Sequence, residues 1–115
     1  MRTEEIVAQL TDLTIELKET IADLAKLDED AVYAEQQEKQ AYARAFMSLD
    51  GSMEIRKQQA LLDTSDESLE CALADMRVRA SKSRIKYLEV AFDAIRSISA
   101  ARRAEFMSEA TGQHT

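Results

Sequence analysis

Apolar residues recur along the first half of the chain as one stripe. Ile6, Leu10, Leu13, Leu17, Ile21, Leu24 and Leu27 stand at steps of 4, 3, 4, 4, 3 and 3. That spacing keeps one side of an α-helix apolar and is close to the seam of a coiled coil. Thr3 is placed to cap such a helix, with Glu4 and Glu5 in the first turn where negative charge is favourable. The acidic triplet Asp28-Glu29-Asp30 interrupts the stripe. Asp28 has the chemistry of a new N-cap, but a continuous or mildly kinked helix fits as well, because the stripe resumes with Ala31, Ala34, Tyr42, Phe46 and Leu49.

The only internal glycine lies in Ser48-Leu49-Asp50-Gly51-Ser52-Met53-Glu54, and the chain has no proline. Gly51 reads as the residue just past a helix C-terminus, where a left-handed conformation is cheap for glycine alone. Ser52 reads as the next N-cap, with Glu54 in the turn behind it. A stop followed at once by a start is what a tight helix–helix connection needs. The predicted fold is all-α: an antiparallel helical hairpin with helices at about 3–49 and 52–110, coiled-coil-like, turning at Asp50, Gly51 and Ser52. Each arm would be roughly 70 Å long. A single domain spans 1–111, and 112–115 is expected to fray, Gly112 acting as a stop.

The second arm carries Leu62, Leu69, Leu73, Met76 and Ala80, then Ile85, Leu88, Phe92, Ile95, Ile98 or Ser99, and Phe106. Between Ala80 and Ile85 the stripe changes phase, which predicts a stutter in the heptad. Leu61 with Leu62, Leu88 with Phe92, and Val90 with Ala91 widen the stripe beyond a two-helix seam. A homodimer, forming a four-helix bundle from two hairpins, would cover the excess.

Folding the chain back at Gly51 puts Glu35–Gln40, a stretch without apolar residues, opposite 62–67, which contains Asp63-Thr64-Ser65-Asp66-Glu67. A polar waist results. The same fold puts Asp12, Glu16, Glu19, Asp23 and Asp28 opposite Arg77, Arg79, Lys82, Arg84 and Lys86. Exposed ion pairs are each weak, but together they penalise wrong registers.

The net charge of the 115 residues is −7. It disfavours non-specific nucleic-acid binding, which draws on positive charge. The distribution is uneven, however: 77–86 holds five bases and no acid. Arg77, Arg79, Lys82, Arg84 and Lys86 are therefore candidate anion or nucleic-acid contacts, unless the acids of the first arm answer them.

At the turn, Tyr42, Arg44, Met47, Met53 and Arg56 are candidate partner-binding residues, the alternative being that they cap the hairpin tip. Waist carboxylates Glu35, Glu38, Asp63, Asp66, Glu67 and Glu70 lack the histidines of a di-iron bundle. The one histidine is His114. No metal, cofactor or catalytic set is predicted, since the body of the chain has no histidine, phosphate loop or nucleophile elbow. Cys71 stands alone beside acids and reads as inert. No apolar run is long enough for a membrane span and no signal-peptide core opens the chain, so a cytoplasmic location is expected.

The runs AYARAFMSLDGSMEIRKQQALLDT (41–64) and ALADMRVRASKSRIKYLEVAFDAIRSISAARRAEF (72–106) resemble small helical accessory proteins of bacteriophages and prophages, often encoded near recombination functions. The resemblance covers residues 41–106 and brings no catalytic or binding residue with it. It implies an accessory protein acting by contact on nucleic-acid machinery or on a host factor. Three functions are thus expected, in order: a non-enzymatic protein-interaction module or inhibitor with an acidic helical surface, a recombination or replication accessory binding single-stranded nucleic acid through 77–103, and a structural scaffold or virion component.

Overall fold

The computed structural model describes residues 2–112. It is all-helical: α1 spans Thr3–Ser48, α2 Met53–Asp63 and α3 Ser65–Gly112, and no strand occurs among the described residues. The last three residues, and with them the fraying expected there and His114, lie outside the described part. The chain divides into two compact units, one formed by 1–21 with 83–115 and the other by 22–82.

Thr3 does not cap α1 but is its first residue. The carbonyl of Arg2 accepts from the Ile6 amide at 3.0 Å, and the Arg2 amide donates to Glu5 Oε2 at 3.4 Å. A Glu reaching back to the amide that precedes the helix does half the work of a capping box, so a Thr hydroxyl is not required. The Asp28-Glu29-Asp30 triplet lies inside α1 without interrupting it.

Covered positions of α1 include an unbroken alternation of four- and three-residue steps from Ile6 to Ala45. This corrects one position. Thr20, not Ile21, takes the seam, and Ile21 is exposed. The Thr20 hydroxyl donates to the Glu16 carbonyl at 2.7 Å, so its polarity is satisfied within its own helix.

The loop between α1 and α2 follows its predicted chemistry. Gly51 has φ +110°, in the left-handed region, and Ser52 is the N-cap, its hydroxyl accepting from the Ile55 amide at 3.3 Å. A Cβ on Gly51 would meet Ile55 only at ordinary contact distance, 3.9 Å. Backbone conformation, not crowding, therefore makes glycine necessary here.

The second arm differs from expectation in two ways. It is not one helix: α2 ends at Asp63, and Thr64, with φ −112° and ψ 20°, separates it from α3. The Thr64 side chain is buried, and its hydroxyl and amide both donate to the Ala60 carbonyl, at 2.8 and 3.1 Å. The Ser68 amide still reaches the Thr64 carbonyl at 3.0 Å. Backbone hydrogen bonding thus continues across a local distortion of the kind that a β-branched hydroxyl bonded to the preceding turn produces. The polar run after it carries a start signal, with Asp66 and Glu67 in the first turn of α3.

Nor does the seam change phase between Ala80 and Ile85. Covered positions include an alternation of four- and three-residue steps from Ala60 through Thr64, Cys71, Ala74, Val78 and Ser81 to Leu88 and Ser99. Leu62, Leu69 and Met76, assigned to the inner stripe by periodicity, point outward, at 69%, 57% and 52% exposure. The inward set in this stretch is small: Ala60, Ala74 and Val78 are buried. Small residues let two helix backbones approach closely, which the larger set would prevent.

Candidate interaction surfaces

Around the loop, the end of α1 is tied to α2 by Arg56. Its Nε and Nη2 donate to the Phe46 carbonyl at 3.4 and 3.1 Å, and its guanidinium lies 4.2 Å from the centre of the Phe46 ring. The last turn of α1 has no basic residue of its own. Arg56 supplies the positive charge that a helix C-terminus favours, from ten residues away in the chain. Tyr42 stacks on Phe46 with ring centres 6.2 Å apart and planes 19° apart. Tyr42 and Arg56, both half-buried, therefore build the tip. Arg44, Met47 and Met53 are exposed, Met47 at 80%, and so is Ile55 beside them in the chain.

Of the five bases in 77–86, Arg84 has an ion pair among the described residues, with Glu16 of the same unit. Its guanidinium also lies 5.3 Å from the Tyr87 ring centre. Asp30, Glu70 and Arg77 line one groove of the 22–82 unit, and Asp28, Asp75 and Arg79 line another. Acids of α1 thus lie on the same grooves as Arg77 and Arg79, but no ion pair closes on Arg77, Arg79, Lys82 or Lys86 among the described residues. These four remain exposed cationic positions.

At the waist, Glu38 and Lys39 share a groove with Thr64 and Ser68. Lys39 is paired within α1 to Glu35 at 2.9 Å, and that hydrogen bond and charge raise its pKa. Cys71 is half-buried. Removal from water raises its thiol pKa above the ordinary 9.0, and the negative charges of Glu38 and Asp75 raise it further. The thiol is kept protonated, the form that reacts slowly. No group of three or more His, Cys, Asp or Glu side chains suited to holding a metal occurs among the described residues. Among the same residues, no helix is long and apolar enough to cross a membrane.

Periodicity missed two features: the outward apolar set on α2 and α3, and the use of Arg56 as a cap. For the first, a signal was present, since Leu62, Leu69 and Met76 are spaced by sevens. Comparison with protein-family models, curated proteins and solved structures finds no match to this chain.

Proposed function

We propose that the chain is a non-enzymatic interaction protein: an antiparallel, coiled-coil-like helical hairpin that associates with itself and engages a protein partner through helical surfaces. The resemblance of residues 41–106 points to a phage-type accessory protein or inhibitor. The observation that carries this reading is how little of its apolar surface the chain covers by itself. Among the described residues five apolar side chains are buried, whereas Val7, Ile15, Val32, Met47, Ile55, Leu62 and others are more than half exposed. Surface of this kind, rimmed by charge, marks sites of protein contact. The numbering of contacting residues supports the hairpin. Glu16 meets Arg84, Tyr33 shares a groove with Glu70, and Tyr42 shares one with Leu61, so numbers fall along one arm as they rise along the other.

The exposed Arg77, Arg79, Lys82 and Lys86 favour a second reading, contact with single-stranded nucleic acid along α3. A tagged pull-down from cells, divided into nuclease-treated and untreated halves, separates the two. Under the first reading a stoichiometric protein survives nuclease and is lost when Met47 and Met53 are changed to Ser. Capture that disappears with nuclease, or with charge reversal at Arg79, Lys82 and Lys86, defeats it in favour of the second.

A further inference from the structure

We propose that the outward apolar stripe of Leu62, Leu69, Leu73, Met76 and Ala80 is the docking face for a second copy of this chain. The two copies pair antiparallel about a two-fold axis between Leu73 and Met76. The inference rests on the interaction-module reading only in taking the exposed stripe as a contact surface, and it names the occupant.

The stripe runs at steps of seven, four, three and four, the first step passing over the exposed Asp66, and from Leu69 to Ala80 it is a heptad seam with Leu73 half-buried. On a helix with the inward seam at Ala60, Ala74 and Val78, these positions lie about 150° away, nearly on the opposite face. Leu62, Leu69 and Met76 are more than half exposed. The matching outward positions of α1 in the same unit are Lys26, Glu29, Gln36 and Gln40, with Tyr33 among them, so most of the apolar excess belongs to one arm.

Charge selects a copy of the same chain as the occupant. Glu70 and Arg77 border the stripe on one edge, seven residues apart and opposite in sign. Neither has an ion pair among the described residues. A two-fold axis between Leu73 and Met76 brings Glu70 of each copy opposite the partner's Arg77, twice. Parallel pairing would instead set Glu70 near the partner's Ser65 and Arg77 near the partner's Ala72, with no opposite charge to meet. The same axis sets Leu69 beside the partner's Ala80 and Leu73 beside the partner's Met76, large against small and large against flexible. The face is therefore complementary to itself in both shape and charge. It makes α3 the central helix, flanked by α1 on one side and the partner's α3 on the other.

The test is sedimentation equilibrium of the full chain in five samples: wild type, Glu70→Arg, Arg77→Glu, the double exchange, and an equimolar mixture of the two single variants. Circular dichroism confirms that each remains helical. The wild type should be a dimer. Each single variant meets like charges twice and should weaken the dimer by about tenfold or more. The double exchange restores both pairs, and the mixture restores them in a heterodimer, so both should recover the wild-type affinity. A monomeric wild type overturns the proposal, as do single variants that dimerise normally or a mixture no tighter than its components. Partner capture is scored separately on the wild-type chain. Its failure counts against the interaction-module reading and leaves the sedimentation result to decide this one.

Discussion

Leu88 is the residue on which the assigned inward seam can be tested most directly. It is 1% exposed and is the largest fully buried side chain among the described residues, where the other buried apolar groups are Ile6, Ala60, Ala74 and Val78. With so few large side chains covered, each carries a large share of the stability. Leu88→Ala removes buried methyl groups and leaves a cavity, which costs about 3 kcal/mol, out of a total that for a small domain is about 5–15 kcal/mol. Val32→Ala is the control. Val32 is 61% exposed, and the change should stay within about 0.5 kcal/mol, with helix propensity slightly in its favour. Urea unfolding followed by circular dichroism at one fixed protein concentration measures both, because self-association makes stability depend on concentration. The Leu88→Ala midpoint should fall sharply at unchanged slope. A loss below about 1 kcal/mol, or an equal loss at Val32, would refute the burial of Leu88 and with it the inward seam assigned to this part of α3.

Gly51→Ala forces a side chain into φ +110° and should cost about 1 kcal/mol or more in the same assay, where a neutral result would mean that the loop relaxes. Arg56→Ala removes two hydrogen bonds to the Phe46 carbonyl and the contact with its ring, and should cost about 1–2 kcal/mol, against almost nothing for Arg44→Ala at an exposed position. Cys71 should react with iodoacetamide more slowly than a free thiol near neutral pH, its rate rising with pH to a midpoint above 9.0, and Glu38→Gln should lower that midpoint. Because the folded thiol holds its proton more tightly than the unfolded one, this residue's contribution to stability is complete below the unfolded pKa and is lost as pH rises through the folded value. A thiol alkylated as fast as a free cysteine at neutral pH would contradict the placement of Glu38 and Asp75 around it.

What could be read from the sequence is local in origin. Helix formation follows from composition and a period of about 3.6 residues. The positive φ of Gly51 and the start at Ser52 follow from the behaviour of a few adjacent atoms and both are present, although α1 already ends at Ser48. The meeting of an acidic stretch of α1 with the basic stretch of the second arm was legible only in outline: Arg84 pairs with Glu16, whereas Arg77, Arg79, Lys82 and Lys86 close no ion pair among the described residues. The break at Thr64 was encoded in Asp63-Thr64-Ser65-Asp66-Glu67, but a polar run of that kind reads equally as an exposed helix surface.

Tertiary packing alone decided which of two apolar faces of the second arm turns inward. Between Ala60 and Ala80 the arm has one seam of small residues and another of Leu and Met on nearly opposite sides. Periodicity measures the spacing of a stripe and not which side meets a partner, and hydrophobicity favours the larger residues. Close approach of two backbones favours the smaller ones, and that gain exists only when the other helix is present. Packing likewise put Thr20 rather than Ile21 on the seam of α1, where it keeps the alternation of threes and fours unbroken.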